Sequence, residues 1–567
     1  MTKPQRRRIG DILVDSGVIT PEQLTKALEW QRRTRDRLGR VLVELDMASE
    51  RQIADALAEQ LGLPIVNLPG ARIEPEAVRL VPEAVARKRR TVPLSLEAGF
   101  LVVAMADPLD IFALDDVGIA ARRPVKAVVA VESEIQTAIE RAYGMGSAAQ
   151  AVIGEIADEA DEANRAGPAT AKETEDGPVV RLVNMLIAQA LKDRASDIHV
   201  EPAEEEVHVR FRIDGVMQTV MNVPKTVHPG LLTRLKVLSR LNIAEKRLPQ
   251  DGAFEMAVDG RAIDFRVATI PTIHGERAAL RLLDKGKGIL TLEDLGMDPP
   301  TRQRYSSLAG QPYGIILVSG PTGSGKTTTL VSTLAQLNSA EKNIMTIEDP
   351  VEYQLPGVSH IQVNPRAGLT FATGLRSIVR QDPDIVMVGE IRDVETAEIA
   401  IHASLTGHLV LTTIHTNDAP AALTRLQDMG IEPYLIASAV IGVVSQRLVR
   451  KLCPHCRQTD VIPPDVTNWL GTIVKELPKE VKLFRPGGCP RCKDSGYLGR
   501  TGIFEVLTMT EAIRKLVLSH TSAAELAEAA SREGMATMRM DGMLKALQGL
   551  TPVEEVLRVT RVEEPNA

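Results

Sequence analysis

Flat aromatic side chains are scarce in this sequence: Phe, Trp and Tyr together make up 3% of 567 residues. A surface that stacks bases needs such side chains, so their shortage argues against single-strand nucleic-acid binding. Charge points the same way. The net charge is −7, whereas a wholesale nucleic-acid binder carries a positive field. Long apolar runs are missing too. No window approaches the roughly 18 apolar residues that span a bilayer. The nearest, 434–444, is broken by small and polar residues and reads as a core helix. The basic start, Met1 to Arg8, leads into no apolar run of the secretory kind. A cytoplasmic protein is expected, and any membrane role would come through a partner. Cysteine is rare, with four in the chain. In a reducing compartment these read as metal ligands before disulfides.

What is present begins with size. A chain of 567 residues exceeds one hydrophobic core and divides into three or four domains. The first sixty residues hold an internal repeat. Arg8-Ile9-Gly10, Leu13, Gly17, Leu24, Leu28 and Gln31 recur as Arg37-Leu38-Gly39, Leu42, Asp46, Ile53, Leu57 and Gln60. Each copy reads as a helical hairpin, with Thr20-Pro21 and Ala48-Ser49 as helix starts. Residues 63–143 mix short strands (101–104, 125–131) with helices, so 1–145 is expected as an N-terminal regulatory or docking domain. Residues 146–177 are rich in Ala, Glu and Asp and read as a flexible acidic linker. A second α/β unit is expected over 178–288 and a further domain over 289–567.

The strongest motif is Gly320-Pro321-Thr322-Gly323-Ser324-Gly325-Lys326-Thr327. It fits the phosphate-binding loop G-x-x-x-x-G-K-[ST]. The apolar run 314–318 ahead of it reads as a buried parallel strand, and Thr328-Thr329-Leu330-Val331 opens a helix. Strand, loop and helix together aim backbone N–H groups and a helix N-terminus at an anion. Lys326 can reach the β- and γ-phosphates, and the Thr327 hydroxyl can ligate Mg²⁺. The chain is expected to bind ATP or a close relative.

Three later segments supply acids and histidines at strand ends: 344–352 with Glu348, 384–393 with Glu390, and 405–417 with His408 and His415. Parallel sheets place ligands at the carboxyl ends of their strands, so these groups should converge near the γ-phosphate. Carboxylates there hold Mg²⁺ through water or orient the attacking water. Two C-P-x-C turns, Cys453-Pro454-His455-Cys456 and Cys489-Pro490-Arg491-Cys492, supply four thiolates of the kind that hold a structural Zn²⁺. Four ligands leave no open position for chemistry, and His455 reads as a bystander.

Together these segments resemble the secretion ATPase superfamily, and within it the type II secretion and type IV pilus assembly branch. Ala195 to Pro202, Val209 to Gly215 and Ala244 to Gly252 resemble that branch's middle domain. The resemblance implies an α/β architecture: a RecA-like phosphate-loop ATPase domain with a zinc-knuckle insertion (450–503), preceded by a small PAS-like α/β domain. An N-terminal helical-repeat α+β domain comes first. It further implies Glu348 as the water-activating carboxylate and Glu390 as the magnesium-linked one, an assignment that sequence alone could swap. His415, with His408, would sense the γ-phosphate. Arginines of the middle domain would meet the nucleotide, with Arg210, Arg212, Arg266 and Arg277 as candidates. The paired N-terminal motifs resemble a domain that binds cyclic di-GMP in some members. Arg8, Gly10, Arg37 and Gly39 are the ligand candidates, and Asp46 in place of the first copy's Gly17 is a departure. A helical docking module is the competing reading of the repeat.

The expected function is an ATP-hydrolysing homo-hexamer that uses Mg²⁺ and contains Zn²⁺. It would drive assembly of a type IV pilus or a type II secretion pseudopilus through an inner-membrane platform protein and an adaptor. Two alternatives stand beside it: a nucleic-acid-translocating motor, and a nucleotide-sensing regulator that does not hydrolyse.

Overall fold

Glycine at equivalent points of the N-terminal repeat lets its helices approach closely. In a computed structural model, which describes residues 7–34, 36–71, 73–143, 149, 152–156, 177–284, 286, 288–460, 471 and 482–560, the repeat forms four helices. They are Ile9–Asp15, Pro21–Thr34, Leu38–Glu44 and Glu50–Leu61. A Cβ on Gly10 would lie 2.8 Å from Leu24 Cδ1, and one on Gly39 would lie 2.7 Å from Ile53 Cγ2. The two copies close on each other. Gln31 Nε2 donates to the carbonyl of Asp36 at 3.0 Å, just ahead of Arg37, and Gln60 Nε2 donates to that of Arg7 at 2.8 Å, just ahead of Arg8. Asp46 keeps the geometry of Gly17: both are left-handed, with φ of 53° and 72°.

A three-stranded sheet follows, of β1 (Thr91–Glu97), β2 (Phe100–Met105) and β3 (Val125–Val129) in that order. The middle unit is a six-stranded antiparallel sheet. Its strands are β4 (Ala195–Pro202), β5 (Glu206–Ile213), β6 (Val216–Pro224), β7 (Gln250–Val258), β8 (Arg261–Thr272) and β9 (Gly275–Asp284), in the order β6-β5-β4-β9-β8-β7. Alternation sends Ile198, Val200, Val209, Phe211, Phe265, Val267 and Leu280 into one core, covered by helices Pro178–Lys192 and His228–Leu238. Ala149, Val152, Ile153 and Ile156, at the start of the stretch expected as a linker, are buried in that same core. The rest of that stretch, 157–176, lies outside the described residues.

The third unit carries the nucleotide motifs. Its seven-stranded sheet runs β12-β11-β13-β14-β10-β15-β18, from β10 (Gly314–Ser319), β11 (Ile344–Glu348), β12 (Val358–Gln362), β13 (Ile385–Val388), β14 (Leu409–Ile414), β15 (Val440–Leu452) and β18 (Tyr497–Thr508). All neighbours pair in parallel except β15 and β18. Strands β10, β13 and β14 are buried along their whole length, as a sheet covered on both faces requires. The core helix expected over 434–444 is corrected. The helix is Pro433–Ala439, and from Val440 the β-branched run pairs with β10 as strand β15. The cysteine turns lie in the connection between β15 and β18, beyond the Leu452–Tyr497 pair, together with the short strands β16 (Gln458–Asp460) and β17 (Leu483–Arg485). Residues 461–470 and 472–481 of that module lie outside the described residues.

Candidate nucleotide site

Strand β10 delivers the phosphate loop at the carboxyl edge of the sheet. Gly320, Gly323 and Gly325 have φ of 144°, 79° and 88°, a backbone that side chains rarely adopt. A Cβ on Gly320 would also lie 2.5 Å from the carbonyl of Gln446. The loop feeds helix Lys326–Leu337, whose N-terminal N–H groups make the kind of end that favours an anion. Lys326 Nζ donates to the carbonyls of Gly320 and Pro321 at 2.8 and 3.1 Å. Burial pushes its ammonium below the usual lysine range, opposed by the nearby Glu390 charge. Ser324 Oγ is buried with no partner. A buried ammonium folded onto its own loop and an orphan hydroxyl beside it form a cradle suited to an anion. Thr327, next in the helix, has the hydroxyl that would hold Mg²⁺ there.

The edge collects the other expected groups. Ile347 of β11 pairs with Val388 of β13, and Val388 with Thr412 of β14, which in turn pairs with Leu317 of β10. Glu348, Glu390, His415 and the loop therefore leave the sheet on the same side. Glu348 is 3% exposed. Its Oε1 accepts from Thr346 Oγ1 at 2.7 Å and lies 2.8 Å from His360 Nδ1. Glu390 pairs with Arg392, and its Oε2 lies 3.5 Å from His415 Nε2. The hydrogen bond to Glu390 raises the Arg392 guanidinium above its ordinary value.

His408 is not brought to this edge. It precedes Leu409, which pairs with Gly314 at the opposite end of β10, about 20 Å along the strand at roughly 3.3 Å per residue. There His408 Nδ1 lies 2.7 Å from the Ala403 carbonyl, closing the preceding helix. The middle-domain arginines are held elsewhere within one chain. Arg210 and Arg277 pair with Glu201 at 3.1 and 2.7 Å. Arg212 lies 3.6 Å from Asp197. Arg266 reaches the ATPase domain, at Glu352 Oε1 (3.5 Å) and the Val351 carbonyl (3.3 Å).

Two residues escaped the sequence reading. Gln446, on β15 and 2% exposed, accepts from Thr329 Oγ1 and donates to the Ser324 carbonyl, both at 2.7 Å. It ties the phosphate loop to its helix. His360, on β12, stands beside Thr346 in the parallel pairing and contacts Glu348. A polar residue inside an apolar strand was the available signal for Gln446. Nothing local marked His360.

The four cysteines come together as free thiols, with all four Sγ atoms within 4.8 Å of one another. Cys453–Cys489, Cys456–Cys492 and Cys489–Cys492 are 3.8, 3.7 and 3.6 Å apart. A tetrahedral zinc with bonds of ~2.3 Å has sulfur–sulfur edges of about 3.8 Å. The cluster fits Zn²⁺, with no open position. His455 lies outside it, with its ring nitrogens 3.1 and 2.9 Å from Arg491 Nη1.

A glycine-rich loop at the carboxyl edge of a parallel sheet, with two carboxylates and a histidine beside it, defines a phosphate-loop ATPase. Residues 172–558 match the family described as type II/IV secretion system protein, and the chain belongs to that family. Residues 61–149 match the MshEN domain, downstream of the four-helix repeat. The type IV pilus assembly ATPase PilB of Myxococcus xanthus is 43% identical over 97% of this chain and 98% of its own length. The type II secretion system protein E of Xanthomonas campestris is 42% identical, covering 98% of both. The Legionella pneumophila ATPase DotB shares the fold, with a TM-score of 0.50 and 20% identity over 69% of this chain and 97% of that one. The chain is an ATPase of the secretion and pilus-motor class. No helix among the described residues is long and apolar enough to cross a membrane.

Proposed function

We propose that the chain is the cytoplasmic, hexameric motor that extends a type IV pilus or a type II secretion pseudopilus, acting on an inner-membrane platform protein and an adaptor. The observation that carries this reading is the gathering of Glu348, Glu390 and His415 beside the loop of Lys326. Glu348 takes the role of water-activating base: it is buried and held on one oxygen by two neighbours. Glu390, whose charge Lys326 feels, sits on the phosphate side, and its partner His415 senses the γ-phosphate. Mg²⁺, held through Thr327, would neutralise charge on the transferred phosphoryl group. Arg210, Arg212 and Arg277 pair with Glu201 and Asp197 within their own chain, and on this reading a neighbouring copy presents them to the nucleotide.

Arg8 and Arg37 start equivalent helices on the two repeat copies, and both are exposed. That symmetry suits a two-fold anion such as cyclic di-GMP, which the planar guanidinium can both stack on and fork toward. Gly10 and Gly39 serve helix packing beneath it. The near-equal identity to pilus and secretion relatives leaves the apparatus to experiment. Replacing the chromosomal gene with Lys326→Ala, then imaging surface pili and measuring the secretome, decides it. Lost pili with intact secretion make it the pilus motor, and the reverse makes it the secretion motor. Intact pili with intact secretion contradict the proposal.

A further inference from the structure

His360 lies on β12, directly beside Thr346 of β11, with a side chain only 9% exposed. Its two ring nitrogens are told apart by their partners. The Leu355 backbone N–H donates to Nε2 at 3.0 Å, so Nε2 offers a lone pair and the proton resides on Nδ1. Nδ1 then donates toward Glu348 Oε1 at 2.8 Å and Thr346 Oγ1 at 3.0 Å. Thr346 Oγ1 adds its own proton to the same carboxylate oxygen at 2.7 Å. One oxygen of Glu348 is thus held by two donors, and the acceptor work of Oε2 is left for another group. A backbone amide fixes the tautomer of the histidine, which orients the carboxylate.

The same ring joins Glu348 to the segment that meets the middle domain. Leu355 closes the loop that follows β11, and a second β12 side chain, Gln362 Oε1, accepts from Val351 N–H in that loop at 3.3 Å. Arg266 of the middle domain reaches Val351 and Glu352 there. Displacement of the loop would act on the imidazole, and through it on the carboxylate.

We propose that His360 is a positioning residue for ATP hydrolysis: its Nδ1–H holds Glu348 in the rotamer that leaves Oε2 facing the attacking water. This rests on the reading of Glu348 as the activating base. Misplacing a catalytic group by an ångström costs about a hundredfold, so loss of the donor should lower kcat by roughly ten- to a hundredfold. Affinity for nucleotide should hold, because the phosphate cradle is untouched.

The test uses the full chain with Mg–ATP, comparing wild type, His360→Leu, His360→Met, His360→Asn and Glu348→Gln. Leucine and methionine both fill the space without a donor, and a cooperative urea transition selects the variants whose kinetics are compared. Asparagine places an amide N–H where Nδ1–H stood. The expected result is a kcat loss in Leu and Met, KM and bound-nucleotide fluorescence within about twofold of wild type, and recovery in Asn to within about threefold. A donor-free variant that keeps wild-type kcat overturns the proposal, as does an Asn variant no better than Leu. Glu348→Gln separates the two readings. If it still turns over, the assignment of Glu348 fails; if it is inactive while the Leu variant is normal, only the role of His360 fails.

Discussion

Gln446 and Lys326 divide the work of the phosphate loop between shape and charge. On the proposed reading Lys326 supplies the ammonium for the phosphates, while Gln446 ties the loop to its helix through Ser324 and Thr329. Replacing Gln446 with Leu strands the Ser324 carbonyl and the Thr329 hydroxyl in a dry site. Each unsatisfied group costs about 1–3 kcal/mol. Gln446→Leu should therefore lower the denaturant midpoint and raise KM for ATP, read by urea unfolding and steady-state kinetics. Unchanged values of both would show that the loop needs no such tie. The loop itself was legible because its chemistry is written in consecutive residues. Gln446 and His360 were not, because each acts on a group more than ten residues away that only strand pairing brings near. His408 misled for the opposite reason: it is close to His415 in sequence, but a strand of six residues separates them across the sheet.

At the scale of elements, periodicity announced the N-terminal repeat but not what its glycines do. Gly10 and Gly39 sit under Leu24 and Ile53, so the repeated R-x-G pattern records close helix packing as well as any ligand role. The two sites are not equally tolerant. Leu24 meets the new methyl with the far end of a flexible side chain, whereas Ile53 meets it with a methyl fixed on a branched Cβ. Gly39→Ala should then destabilise by about 1–3 kcal/mol and Gly10→Ala by less, measured by thermal unfolding of the full chain. Equal effects would mean the helices can slide apart. Asp46 shows the limit of reading one residue at a time. It looked like a break in the repeat, yet it keeps the left-handed turn of Gly17, a conformation that Asp tolerates better than most residues. The strand that replaced the expected helix after Ala439 teaches a related lesson. Small and apolar residues suit either element, and pairing with β10 decided between them.

Over the whole molecule, the sheet of the third unit gathers into one edge what the chain spreads from Gly320 to His415. The middle unit offers a row of arginines on one sheet, paired with Asp197 and Glu201 of that same sheet. That arrangement is legible only when the fold is seen, since the pairs join β4 to strands on either side. The zinc cluster closes the β15–β18 hairpin, so metal binding and the order of this edge are linked. If Lys326 and Glu348 act as proposed, turnover depends on both the ammonium and the buried carboxylate. The most direct measurement is phosphate release from Mg–ATP by purified wild type, Lys326→Ala and Glu348→Gln, with nucleotide affinity taken alongside. Turnover is expected in wild type, with a loss of at least about 10²-fold in both variants and Glu348→Gln still binding ATP. Hydrolysis that survives either change at the wild-type rate would contradict the proposed roles.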